Sequence, residues 1–189
     1  MRINESSIVG KAFGEDADSS LIVAYQSHQD ALRFLAEALA QSNGVALLQG
    51  PRGAGKTTIV KEQSAWSARD AAVAFVDGVH LAPRRFLTDL LTQFDLPSGV
   101  GEEDQLLQSL SNFLAQQARC GASPVLIVDD ADRASTSALR LLNWLAALDV
   151  RGKYSLRIVL TGKERLEGML RNNSMNNLLR RTPSTYSLN

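Results

Sequence analysis

Eight consecutive residues, Gly50-Pro51-Arg52-Gly53-Ala54-Gly55-Lys56-Thr57, restrict this chain more than any other feature. They follow the apolar run Val45-Ala46-Leu47-Leu48-Gln49, which is too short for a buried helix and reads as a buried parallel strand. After Lys56 the pattern turns helical through Ile59, Val60 and Trp66. Strand, glycine-rich turn and helix in that order form a phosphate-binding loop. The glycines let backbone N–H groups turn inward, and the helix adds the positive end of its dipole. The spacing assigns Gly50, Pro51, Arg52, Gly53, Ala54, Gly55, Lys56, Thr57 and Thr58 to nucleotide binding. Lys56 is expected to reach the β- and γ-phosphates, Thr57 to hold magnesium through its hydroxyl, and Thr58 to lie near the α-phosphate. Gly50, Gly53 and Gly55 lack the glycine spacing of a dinucleotide-binding fingerprint.

A second constellation follows about seventy residues later. Val125-Leu126-Ile127-Val128 is the most strand-like run in the chain and enters the carboxylate pair Asp129-Asp130. On a strand beside the loop strand, Asp129 would hold the magnesium and Asp130 would polarise the attacking water. The run Leu156 to Thr161 reads as a further strand whose terminal Thr161 would touch the γ-phosphate or that water. A strand at Val73–Asp77 and a short one at Thr185–Leu188 bring the total to about five. Helices are expected from Ser27 to about Asn43, after Lys56, over Leu81–Phe94, Asp104–Arg119 and Ser137–Leu148, and from near Glu164. Such alternation predicts an α/β fold: a parallel sheet with right-handed crossovers and helices on both faces, its ligand at the carboxyl ends of the strands.

Residues 1–24 read as an N-terminal extension and 25–189 as one nucleotide-binding domain, with no internal repeat, low-complexity tract or linker. Twenty Lys plus Arg balance twenty Asp plus Glu, so no chain-wide field draws nucleic acid or an anionic membrane, and any such binding must come from a local patch. The pairs Arg84-Arg85 and Arg180-Arg181 are candidates for a nucleic-acid backbone but lack interleaved aromatics. The lone Cys120 has no disulfide partner and points to a reducing compartment. No signal peptide and no apolar run of about eighteen residues is present. The ending Tyr186-Ser187-Leu188-Asn189 is abrupt, as in a piece of a longer protein. Trp66 and Trp144 are expected in the core, His28 and His80 receive no metal or catalytic role, and Tyr25 with His28 are candidates for an adenine pocket. Arg171, Arg180 and Arg181 are candidates for stabilising a transferring phosphate, in the style of a residue donated by a neighbouring subunit.

Taken in order and spacing, Gly50–Thr58, Val125–Asp130 and Leu156–Thr161 resemble the core of an AAA+ ATPase of the P-loop NTPase class, over nearly the whole chain. The run Ser27-His28-Gln29-Asp30-Ala31-Leu32 and the run Ile127 to Asp132 are similar to the ExeA/GspA-type ATPases of secretion and pilus systems. The Asp-Asp-Ala run followed by Ser137-Ala138-Leu139 also resembles the ATPase domain of DamX-like cell-division proteins, where it precedes a membrane segment and a peptidoglycan-binding part. The resemblance implies ATP and Mg2+ as ligands, Thr161 as sensor 1, and Arg180 or Arg181 as the arginine finger. It further implies a cytoplasmic ATPase domain, self-associating or partnered, that organises a bacterial envelope assembly. An ATP-dependent DNA-binding regulator of the transposition type shares the same layout, and a nucleotide-gated scaffold without catalysis is the alternative motivated by the two departures that follow. Two departures stand out. Asp130 occupies the position where the family usually carries Glu, so its carboxylate is one methylene short and hydrolysis is expected to be slow. The C-terminal helical lid that normally follows the core is absent from the sequence.

Overall fold

The computed structural model describes residues 15–41, 44–79, 82–99, 101–150, 152–181 and 183–188. Five strands, β1 (Val45–Gln49), β2 (Val73–Asp77), β3 (Val125–Asp129), β6 (Arg157–Gly162) and β7 (Ser184–Ser187), form one sheet in the order β2-β3-β6-β1-β7, with every pair parallel. Between them run α1 (Glu15–Ala40), α2 (Lys56–Ser67), α3 (Pro83–Gln93), α4 (Glu103–Arg119), α5 (Thr136–Leu145), α6 (Arg165–Leu170) and α7 (Asn176–Arg180). This is the α/β architecture expected from the strand and helix alternation, with about five strands as predicted.

Side-chain alternation along the strands divides the core into two layers. Val45 and Leu47 of β1, Leu126 and Val128 of β3, and Ile158 and Leu160 of β6 pack with α3, α4 and α5. Ala46 and Leu48, Val125 and Ile127, and Val159 face α1 and α2 instead. A strand buried on both faces must be apolar throughout, which is why β1 and β3 read as continuous hydrophobic runs. The same period of two places Asp129 and Thr161 on the side covered by α2.

Several expectations require correction. β3 is not beside the loop strand; β6 lies between β3 and β1, with β1 flanked by β6 and β7. The expected helix start at Ser27 lies inside α1, because residues from Glu15 continue the same helix, and the boundary at 24/25 falls within it. The helix expected over Ser137–Leu148 runs over Thr136–Leu145 instead, and Ser135 caps it by accepting from the Ala138 N–H at 3.1 Å. The short antiparallel hairpin β4 (Asp149–Val150) and β5 (Lys153–Tyr154) was not foreseen; two-residue strands carry no readable period. Trp66 and Trp144 are 42% and 40% exposed, not core residues. Trp66 lies in the last turn of α2, and Trp144 projects from α5 away from the face that buries Leu139, Leu142 and Leu145. Cys120 is an exposed thiol just after α4. His80 lies outside the described residues.

Candidate nucleotide site

At the carboxyl end of β1 the chain turns through Gly50–Gly55 into α2. Gly53 and Gly55 have φ of 87° and 84°, left-handed values that suit glycine, and a Cβ at either would meet nothing within 4 Å. The loop is therefore an open cradle of turned backbone. Gly50 is constrained differently: a Cβ there would lie 2.9 Å from the Leu188 carbonyl oxygen. Its N–H donates to the Gly162 carbonyl at 3.2 Å, tying the loop to the end of β6.

Lys56 opens α2 and is buried, its ammonium donating to the carbonyls of Gly50 at 2.8 Å and Pro51 at 2.7 Å. A cation held against the loop's own carbonyls sits where incoming phosphate oxygens provide stronger acceptors. Next to it Thr57 Oγ1 donates to Asp129 Oδ2 at 2.7 Å, across 72 residues of sequence. Thr161 Oγ1 donates to the other carboxylate oxygen, Asp129 Oδ1, and itself accepts from the Asp130 N–H at 3.0 Å. The Asp130 N–H also approaches Asp129 Oδ1 at 3.2 Å. Asp129 is buried, and these donors supply what an ionised carboxylate needs away from water. The registers explain the meeting. Val128 pairs with Leu160 and Leu48 with Thr161, so one step beyond brings Asp129 level with Thr161, while α2 lays Thr57 over the same face. A hydroxyl and a carboxylate converging in this way form the hard-oxygen donor pair that suits Mg2+, which keeps most of its remaining shell as water.

Asp130 adopts the left-handed region at φ 49°, a conformation Asp tolerates better than most residues, and starts a 3₁₀ turn over Ala131–Arg133. Its carboxylate is 3.5 Å from Arg133 Nη1, a partly exposed pair. Behind this turn, Asp132 is buried and pairs with Arg165, Nε to Oδ2 at 2.7 Å, while Arg165 Nη2 donates to the Asp132 carbonyl at 3.0 Å. Gly78 closes the other side: its N–H donates to the Asp129 carbonyl at 2.6 Å.

A cleft of about 650 Å³ opens over these groups, lined by Arg52, Gly53 and Gly55–Thr58 of the loop, by Asp130 and Asp132, and by the cations Arg133, Lys163 and Arg165. Sequence reading passed over those three cations. Their signal was position: Lys163 and Arg165 follow β6 directly, at the carboxyl end where a parallel sheet places its ligand.

The remaining candidates lie elsewhere. His28 Nε2 is 2.8 Å from Glu62 Oε2, pinning α1 to α2, and does not line the cleft. The Tyr25 side chain lies outside the described residues. Arg85 pairs with Asp89 and Arg171 with Glu167 on their own helices. Arg181 must be corrected as a finger candidate. It is 1% exposed, and its guanidinium donates to the carbonyls of Leu156 at 2.8 Å, Gly44 at 3.3 Å and Ala146 at 3.4 Å. It also stacks over Tyr154, 4.3 Å from the ring centroid. Gly44 and Leu156 precede β1 and β6, so this guanidinium sits at the amino ends of the strands, turned inward, with the sheet between it and the cleft. Arg180 is exposed at the same far end, out of reach of its own chain's cleft.

A parallel sheet with this loop, and with a buried acid and a threonine aligned beside it, defines a P-loop nucleotide-binding domain. The family model described as "AAA domain" matches residues 36–170, and the chain belongs to that family of ATPase-type domains. It is 29% identical over 164 residues to the general secretion pathway protein A of Aeromonas hydrophila, covering 86% of this chain but only 30% of that protein's length. Among solved structures it is similar to Cdc6p from Pyrobaculum aerophilum, at a TM-score of 0.65 and 16% identity over 85% of this chain and 44% of the other. It is also similar to the Aeropyrum pernix ORC2 protein in its ADPNP–ADP complexes, at 0.54 and 17% over 87% and 46%. At such identities the likeness is one of fold. No helix among the described residues is long and apolar enough to cross a membrane.

Proposed function

We propose that this domain binds ATP with Mg2+ in the cleft over β1, hydrolyses it slowly, and couples its nucleotide state to the assembly of a bacterial envelope system of the secretion, pilus or division kind. The observation that carries the reading is the convergence of Thr57, Asp129 and Thr161 beneath the loop. Backbone N–H groups of Gly53–Thr58 and the Lys56 ammonium would hold the phosphates. Thr57 and Asp129 would hold Mg2+, which when bound neutralises charge on the phosphates. Thr161 would act as sensor by orienting Asp129 with its hydroxyl while accepting from the Asp130 N–H. Asp130 would position the attacking water; its short side chain and its nearness to Arg133 both favour slow turnover. An arginine supplied by a neighbouring copy remains compatible with Arg180, which is exposed, and not with Arg181. The envelope role rests on the similarity to the secretion protein.

ATP turnover by the purified chain, measured beside Lys56→Ala and Asp130→Asn with a direct nucleotide titration, tests the reading. Loss of binding in Lys56→Ala and loss of turnover with retained binding in Asp130→Asn are expected. Tight binding by the unmodified chain without turnover, alone or on self-association, would instead make it a nucleotide-gated scaffold.

A further inference from the structure

The end of the sheet opposite the cleft carries a groove of about 920 Å³. Four elements each deliver one cation to it: Arg119 ends α4, Lys153 lies on β5, Arg157 opens β6 and Arg180 ends α7. No Asp or Glu lines it, and among the described residues none of these four has a carboxylate within 4.0 Å. In a chain whose acids and bases balance at twenty each, this is a segregation of charge. Unneutralised cations gathered from separate elements repel one another and are tolerated where an anion joins them.

The rest of the lining indicates which anion. Gly121, Ala122, Ser123 and Gly152 keep part of the wall low, so a ligand backbone can approach closely. Its aliphatic side chains are only Ala and Val, too small to form the deep apolar pockets that anchor a protein segment. Tyr154 supplies an aromatic wall, and the buried Arg181 stacked against it holds that ring in place. Guanidinium groups beside an aromatic, with no acids and no apolar pocket, match a strand bearing one fixed charge per residue.

We propose that this groove is a phosphodiester site that takes the sugar–phosphate backbone of a nucleic acid. The site is independent of the nucleotide cleft, since β6 separates them, with Arg157 at its start and Thr161 near its end. Contacts of this kind fix position and carry no base preference.

The test is fluorescence anisotropy of the full chain with labelled oligonucleotides of mixed sequence, single-stranded and duplex, between about 50 and 200 mM salt. Four phosphate contacts give a slope of log K against log salt of about −3 to −4. The exposed pair Arg119→Gln with Lys153→Gln should reduce that slope by about two while nucleotide affinity in the cleft stays unchanged, which also shows that the variant is folded. Three results would overturn the assignment: no binding at the lowest salt, an unaltered slope in the double variant, or equal competition by polyglutamate of matched charge, which would make the groove a seat for an acidic protein.

Discussion

Replacing Arg181 by Met separates a structural role from a catalytic one. Met retains most of the aliphatic stem and removes every donor. In the folded chain burial lowers the Arg181 pKa to about 10, well below the ordinary guanidinium value, with Tyr154 pulling the other way. At 1.36 kcal/mol per tenfold change in proton affinity, burying the cation costs about 3 kcal/mol, which the substitution recovers. Against that, the carbonyls of Gly44, Ala146 and Leu156 lose their donor at about 1–3 kcal/mol each, and the stacking on Tyr154 is worth about 1–2 kcal/mol. The balance is a destabilisation of about 4 kcal/mol, or a fall of about 2 M in the urea midpoint at a slope of about 2 kcal/mol per M. Nucleotide affinity of the folded variant should match the unmodified chain. The pH dependence has a definite sign. The folded state holds this proton less tightly than the unfolded state, so the burial cost is complete below about pH 10 and is relieved only above it. The stability difference between the two chains should thus be flat from pH 6 to 9. A variant with unchanged urea midpoint and abolished turnover would refute this account and return Arg181 to the nucleotide.

Thr161→Val keeps the shape of a fully buried side chain but removes the hydroxyl that joins Asp129 to the Asp130 N–H; a loss of about 2–3 kcal/mol is expected by chemical denaturation, with turnover falling more than nucleotide affinity. Gly78→Ala would place a Cβ 2.7 Å from the Asp130 carbonyl oxygen and 2.8 Å from that of Asp129, so both acids must shift and turnover should drop. Its control, Gly168→Ala in α6, meets nothing within 4 Å and should raise the melting temperature, since Ala exceeds Gly by about 1 kcal/mol within a helix. Asp130→Glu adds the missing methylene and is expected to raise turnover at a stability cost of about 1 kcal/mol for a longer side chain at φ 49°; unchanged turnover would show that reach is not what limits this residue.

Much of the site was legible because its parts are local. The loop is a continuous octapeptide whose glycines, lysine and threonine act through one turn and one helix start. Asp129 and Thr161 were legible as polar ends of apolar strands. The arginines near the C-terminus were not, since Arg180 and Arg181 are neighbours in sequence with opposite fates: one exposed, the other sealed against three carbonyls. Trp66 and Trp144 misled for a related reason, as an apolar neighbourhood along a helix does not say which way the helix is rotated.

The sequence alone determined the parallel α/β class and the phosphate loop and pointed to Thr57, Asp129, Asp130 and Thr161 beside it, because strand and helix periods and a contiguous motif are encoded residue by residue. Only the tertiary structure decided that β6 stands between β1 and β3, that Thr57 and Thr161 meet on one carboxylate, and that cations from four elements share a groove at the far end. Those outcomes depend on strand order and register, and they are fixed by how apolar faces pack together across long stretches of chain.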